Sequence, residues 1–349
     1  RQVRRKTFVT EAKSIALCGA GMISGAHAMA AHVLGIPIVA VASRSQEKSA
    51  ERANQLNAKS VEYSQLPSGA DVVIVATPPA QHFDHAVYSL QRGAAVIIEK
   101  PLAYTLNEAD RLVSHAEQND QKILYAENLA YAPIVHAFIK RAATIGTVTH
   151  MSLRTVQSLP QWGGFTTAEW GGGALFDLGV HPLAIAVLVG RAIGAGEVVA
   201  VSAHLDGEVT DTHADISLTF ANGLQASVVS SWQGSEIPEW NFQVASDQGV
   251  VRAELMPNLN LEHNGEEVAL PTATAPIPFI EQFGYVGQLQ AFAEDLNTRS
   301  TPFMDVAFGR WIMEIVCAGY VSARQNSQEI PVPSGCDRFV SPLQLWKGP

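Results

Sequence analysis

The chain has 349 residues, 47% of them hydrophobic and 16% charged, enough to bury two domain-sized cores. Its 33 acidic residues outnumber 23 basic ones, for a formal net charge of −10. That balance excludes a nucleic-acid surface, because phosphate neutralisation needs clustered Lys and Arg. The one basic cluster, Arg1 to Lys6, has no apolar segment behind it and reads as an arm rather than a signal peptide. No uninterrupted apolar run reaches the roughly 18 residues of a membrane helix. Cys18, Cys317 and Cys336 are odd in number and spread along the chain, as expected for free thiols in a reducing, cytoplasmic compartment.

Ser14 to Gly19 is a short apolar strand entering the turn Gly19-Ala20-Gly21, and an Ala-rich amphipathic helix follows over Ala26 to Leu34. Glycines at 19 and 21 let the backbone approach a pyrophosphate, and the helix entry through Met22 and Ile23 offers amides and a dipole to the anion. Ser24 stands where the dinucleotide fingerprint expects a third glycine; a small residue still permits close helix-to-strand packing. A second buried strand over Pro37 to Ser43, a polar helix over Gln46 to Leu56 and a third strand over Asp71 to Thr77 complete the alternation. Such alternation implies right-handed crossovers and a doubly wound parallel sheet.

The second strand ends in Ser43-Arg44-Ser45, where an acid would bind the adenosine ribose and repel a 2′-phosphate. A guanidinium flanked by hydroxyls suits a phosphate, so NADP is favoured over NAD. Thr77-Pro78-Pro79 closes the third strand and should lie beside the nicotinamide, with a helix from Gln81-His82 to Leu90. His82 and His85 invite a zinc reading, but no third ligand is near, and no metal is expected. The strand from Ala94 to Ile98 then delivers Glu99 and Lys100, followed by Pro101, to the carboxyl edge where open α/β sheets bind ligands. Lys100 is therefore the first catalytic candidate, with Glu99 a candidate for the cofactor or for holding the loop.

Leu106 to Gln118 reads as a helix, Lys122 to Ala126 as a strand, and Glu127-Asn128 as the hinge between a domain over 12–127 and another over 128–349. Further on, Trp170-Gly-Gly-Gly-Ala-Leu-Phe-Asp177-Leu-Gly-Val-His181-Pro182 carries an acid and a histidine four residues apart, on one face of a helix. Pro182 removes an amide, so a kink is expected there. Trp162, Trp170 and Tyr285 are candidates to stack on a sugar, or to pack in the core. His204, Asp206, Asp211, His213 and Asp215 have the elements of a metal site but fall on strand ends and turns. Asn222-Gly223 reads as a hairpin turn with positive φ, and Glu281 to Leu296 and Val306 to Arg324 as closing helices.

With Gly19-Ala-Gly21, Thr77-Pro78-Pro79-Ala-Gln-His82, Glu99-Lys100-Pro101 and the Trp170 to Pro182 segment in register, the chain resembles the glucose-fructose oxidoreductase / inositol dehydrogenase / MocA family over most of residues 14 to 330. The resemblance implies an N-terminal Rossmann domain and a C-terminal α+β domain with a large, open, mainly antiparallel sheet. That sheet would form the interface of a homodimer or homotetramer. Alternating runs at Thr147–Val156, Val198–Leu205, Ala214–Phe220, Leu224–Trp232 and Phe242–Ala245 suit it. The resemblance further implies that Asp177 and His181 meet Lys100 at the nicotinamide, that the Lys100–Pro101 bond is cis, and that the substrate is a sugar, cyclitol or related polyol. Lys100 and His181 would handle the hydroxyl proton during hydride transfer, in either assignment, while Asp177 orients the substrate or the histidine. A nicotinamide-dependent glycosidase with retained cofactor and a non-catalytic cofactor-sensing regulator are the alternatives.

Overall fold

The computed structural model describes residues 13–348; the basic arm over Arg1 to Lys6 lies outside them. Six strands form a parallel sheet: β1 (Ile15–Cys18), β2 (Ile38–Ala42), β3 (Lys59–Val61), β4 (Val72–Val75), β5 (Ala95–Glu99) and β6 (Ile123–Ala126). Their order is β3-β2-β1-β4-β5-β6, with the reversal of winding between β1 and β4. The central strands are wholly apolar and wholly buried, as expected where helices cover both faces. The covering helices are α1 (Met22–Leu34), α2 (Gln46–Leu56), α3 (His82–Leu90) and α4 (Leu106–Asn119). Two features differ from the sequence expectation. Helix α1 begins at Met22 rather than Ala26, since Gly25 is carried inside the helix, against the Arg52 side chain. Strand β3 went unforeseen because it is a short, polar, largely exposed edge.

Helix α5 (Pro133–Ala142) leads into a nine-stranded mixed sheet. Its strands are β7 (Val148–Val156), β8 (Val198–Asp206), β9 (His213–Phe220), β10 (Gln225–Ser231), β11 (Glu239–Ser246), β12 (Gly249–Met256), β13 (Asn260–His263), β14 (Glu266–Glu267) and β15 (Ile330–Pro331). All pairings are antiparallel except β7 with β10. Between β7 and β8 lie α6 (Ala174–Asp177) and α7 (Val180–Ala192), which pack with α5 on one face of this sheet. The other face carries the outward residues of a regular alternation. Helices α8 (Pro278–Gln282), α9 (Tyr285–Thr298), α10 (Val306–Arg324) and α11 (Pro342–Lys347) follow. Of these, α9 returns to pack on α1, and α10 on α4 and β6.

Three local expectations are corrected. The Asp177–His181 segment is two helices meeting at a bend of 44°, centred on Leu178-Gly179 rather than Pro182. Pro182 sits in the first turn of α7, where its missing amide costs nothing. The closing helix over Glu281 to Leu296 is broken at Gly284, which takes φ 84° and would drive a Cβ to 2.0 Å from the Asn128 carbonyl. In the β9–β10 hairpin only Gly223 adopts positive φ, while the Asn222 side chain accepts from the Leu224 amide. The loop is thus a three-residue turn closed by a left-handed glycine.

Helix α10 has the length and hydropathy to cross a membrane, but 72% of its apolar window is buried among β8, α4 and α11. Cys317 on α10 and Cys336 are free thiols, and the Cys317 thiol draws the Cys336 pKa down to about 7. The Leu343 amide donates to the Gly171 carbonyl at 2.8 Å, tying the C-terminal helix to the glycine turn that precedes α6. Asp211 anchors the same turn from within the core: it accepts from the Gly173 and Leu175 amides at 2.9 and 2.7 Å and from the Tyr320 hydroxyl. Burial pushes its carboxyl above the usual range. Asp211→Ala leaves these donors without partners in the interior, so urea unfolding should show a loss of about 2–4 kcal/mol.

Candidate functional site

At the carboxyl edge of β1 the turn is shaped for close approach. Gly19 has φ 122°, and a Cβ there would sit 2.5 Å from the Ala76 carbonyl oxygen. Gly21 caps α1, has nothing within 4 Å of its would-be Cβ, and leaves the first amides of the helix uncapped by any side chain. Met22, half exposed, and Ile23 open the helix. Ser24 is fully buried and bonds the Gly21 carbonyl at 2.7 Å, which fixes the turn without extending into the open space. Across the switch in strand order, the Thr77 hydroxyl is buried with no partner among the described residues at the end of β4, beside Pro78. Ser43 is half-buried and Arg44 exposed at the end of β2. Arg44 makes no ion pair among the described residues, and its amide is bound by the Tyr63 hydroxyl. An uncapped helix start, an open glycine and an orphaned hydroxyl fit a dinucleotide along this edge.

Lys100 follows β5 across a cis bond to Pro101. Its Nζ reaches into the second half of the chain, donating to the Asp177 carboxylate at 2.9 Å and the Asp177 carbonyl at 3.0 Å. An ammonium has three donors, so one remains for a substrate oxygen. Burial disfavours the charge, but the carboxylates of Asp177 and Glu99 outweigh it and hold Lys100 above the ordinary lysine value.

Glu99 is engaged within the protein. Its carboxylate accepts from His27 of α1 at 2.7 Å and from the Lys100 amide at 3.0 Å, and despite burial this hydrogen bonding holds it below the usual range. His82 likewise has both ring nitrogens against backbone carbonyls, Pro101 at 2.9 Å and Thr77 at 2.7 Å. A neutral imidazole carries one N–H, so it donates to one of these carbonyls at a time and packs between the loops after β4 and β5 with both nitrogens turned toward the protein; Glu99 fits the loop-holding alternative. Burial pushes the His82 pKa down.

His181, at the start of α7, meets a residue that the sequence reading treated only as a hinge. Its Nδ1 lies 2.8 Å from Glu127, a wholly buried carboxylate just beyond β6. A carboxylate can only accept, so Nδ1 carries the hydrogen and Nε2 is left as a free acceptor. The Trp240 ring lies 5.8 Å from the His181 ring. Asp177 and His181 thus stand on opposite sides of the α6–α7 bend, each bound to the end of a different strand of the parallel sheet. The partners His27 and Glu127 carried no motif of their own; the only signal was an ionisable residue inside otherwise apolar surroundings.

The remaining candidates divide. Tyr285 is buried edge-on to His27, and burial, followed by the charges of Glu99 and Glu127, pushes its pKa up. Trp170 joins Trp162 through Phe165, with ring separations of 4.5 and 4.9 Å. Asp211 is committed to the glycine turn, and His213 is bonded to Ser231 and Asp215. Among the described residues no three His, Cys, Asp or Glu are grouped to hold a metal.

Residues 13–127 match the family described as "Oxidoreductase family, NAD-binding Rossmann fold", and residues 139–252 match the GFO/IDH/MocA C-terminal domain. The chain is 30% identical over 199 residues to scyllo-inositol 2-dehydrogenase (NADP(+)) of Bacillus subtilis, covering 52% of this chain and 60% of that protein. It is 31% identical over 140 residues to D-glucoside 3-dehydrogenase of Escherichia coli, covering 38% of this chain and 39% of that one. Each match spans less than two thirds of the relative. The crystal structure of GenD2 from gentamicin A biosynthesis in complex with NAD superposes with a TM-score of 0.83 at 22% identity, over 95% of this chain and 99% of that one.

The two glycines of the turn should separate in their effects. Gly19→Ala forces φ and collides with Ala76, costing about 2–4 kcal/mol in urea unfolding. Gly21→Ala should leave the unfolding midpoint nearly unchanged yet weaken dinucleotide binding, measured by calorimetry, because its methyl occupies only the open space.

Proposed function

This chain belongs to the GFO/IDH/MocA family of oxidoreductases, and we propose that it moves a hydride reversibly between NADP and a secondary alcohol or ketone of a sugar, cyclitol or related polyol. The observation that carries the reading is the pair of contacts Lys100–Asp177 and His181–Glu127, which set a cation and a free imidazole nitrogen at the mouth of a dinucleotide fold. When bound, the nicotinamide supplies the hydride acceptor or donor at its C4 carbon. Gly19, Gly21, Met22 and Ile23 would hold the pyrophosphate, and Thr77 and Pro78 would border the nicotinamide.

The charge on Lys100 divides the proton work. A lysine whose pKa is raised stays an ammonium through the neutral range and so donates rather than accepts. In the oxidation direction the His181 Nε2 takes the hydroxyl proton, and the free N–H of Lys100 stabilises the oxygen as negative charge develops. Asp177 positions the ammonium. Glu127 holds the imidazole tautomer and stabilises the imidazolium that forms. In reduction, Lys100 polarises the carbonyl and His181 returns the proton. A regulator that only sensed the cofactor would have no use for two such tethered groups. The helix-free face of the nine-stranded sheet is the proposed contact between subunits.

For the adenosine end, the exposed Arg44 with no acid beside it favours NADP. A charge-assisted bond to the 2′-phosphate is worth about 1.5–3 kcal/mol, so Arg44→Ala should raise the Kd for NADP roughly ten- to hundredfold while leaving that for NAD nearly unchanged. Equal loss for both cofactors in calorimetry would remove the assignment.

At the chemical centre, Lys100→Met should lower kcat by about 10²- to 10⁴-fold with dinucleotide affinity retained, and Glu127→Gln should lower kcat about 10²-fold. Because the lysine shift is upward, the pH–rate profile of the wild type should show no lysine limb below about pH 10. Full turnover of Lys100→Met in reduced-nicotinamide absorbance would sink the mechanism.

A further inference from the structure

We infer that the substrate is an uncharged glycoside whose apolar aglycone rests on Trp162, a reading that depends on the dehydrogenase function proposed above. Three loops meet at one end of the nine-stranded sheet, over 157–171, 207–212 and 232–238. They are joined by the Ser158–Gln233 bridge and by hydrogen bonds from Gln233 to Asp206 and Thr212. The second loop holds Asp211, which fastens the glycine turn leading to Asp177. The first loop's turn over Ala168–Trp170 packs against Pro79–Gln81, at the border of the nicotinamide position. The loops therefore form the rim of the cleft that Lys100 and His181 enter.

This rim is apolar in an unusual way. Leu159, Trp162, Val209 and Ile237 are 36%, 53%, 58% and 63% exposed, and all four belong to these loops. Trp162 is the outer member of the aromatic ladder through Phe165 to Trp170, so an apolar surface runs continuously from solvent to the glycine turn before Asp177. A sugar placed for hydride transfer would direct a substituent along that ladder. An aromatic or alkyl aglycone would cover exposed carbon there, whereas a free sugar would leave it wet.

The charges around the rim fix the second half of the inference. The three loops carry no Lys or Arg of their own; two cations reach them from outside, Lys347 donating to the Gly207 carbonyl at 2.9 Å and Arg154 lying 3.8 Å from Glu239. Arg191 is paired with Glu197 at the far end of α7. Glu169, Glu208 and Glu236 are exposed on the same loops, and Lys100 is already neutralised by Asp177. A phosphate, uronate or nucleotide diphosphate on the substrate would meet three exposed carboxylates on the loops, while the nearby cations are already engaged, Arg154 with Glu239 and Lys347 with the Gly207 carbonyl.

The experiment follows reduced-nicotinamide absorbance on a panel of sugars and cyclitols with both cofactors. For each ring that turns over, it then compares kcat/KM for the free sugar, methyl glycoside, phenyl glycoside, 2-amino-2-deoxy sugar and 6-phosphate. The expected result is a phenyl glycoside favoured about tenfold over the methyl glycoside and a 6-phosphate at least a hundredfold worse. Trp162→Ala should collapse the phenyl-to-methyl ratio to about one, and Trp162→Phe should largely restore it. Equal phenyl and methyl values, or preference for the phosphate or the amino sugar, would overturn the inference while leaving the dehydrogenase reading intact. So would a Trp162→Ala variant that changes the oligomer mass in light scattering without changing selectivity. Absence of turnover with every sugar and both cofactors would overturn the dehydrogenase reading and this inference together.

Discussion

Two cross-links between the halves of the chain carry the structure of the site: the Lys100 ammonium on Asp177 and the His181 imidazole on Glu127. Each begins at the carboxyl end of a parallel strand, β5 or β6, and ends on one arm of the bent α6–α7 segment. A buried ion pair gains little net stability, because desolvating both charges cancels much of their attraction. Its value here is geometric. Removing either partner leaves a buried charged or polar group unpaired, so the two halves are held in one relative position by the same groups to which the proposed chemistry is assigned.

The supporting contacts extend this logic outward. His27 on α1 holds Glu99, which holds the Lys100 amide, so the helix that would receive the pyrophosphate and the lysine beside the nicotinamide share one chain of hydrogen bonds. His82 packs between the loops after β4 and β5 and donates its one N–H to a carbonyl of either. On the other side, Asp211 and Tyr320 grip the glycine turn where a Cβ on Gly173 would lie 1.9 Å from the Asp211 carbonyl. The glycines there serve close backbone approach more than flexibility.

Much of this could be read from residue order. The parallel strands appear as unbroken Val and Ile runs because both faces are covered, and the glycine turn, Lys100, Asp177 and His181 stand out against apolar surroundings. The bend at Gly179 has no signature in the spacing, since residues four apart also fit a continuous helix, while a Cβ at Gly179 would lie 2.6 Å from the Leu175 carbonyl oxygen. Glu127 and His27 lie 54 and 72 residues from their partners, a separation that no local pattern spans. His82 looked like a ligand because a histidine between two loops has the same sequence signature whether it faces solvent or two carbonyls. Strands β3, β14 and β15 are too short or too polar for alternation to register.

The hydrogen bond from Leu343 to Gly171 has a consequence for how the molecule is made. Every strand of the parallel sheet precedes the second sheet in the chain, so the first sheet is complete in sequence before the second begins. The glycine turn that sets Asp177 waits for α11, near the end of the described chain. A chain extended only through the second sheet therefore has its lysine in place while the turn that carries the paired acid still lacks the α11 anchor.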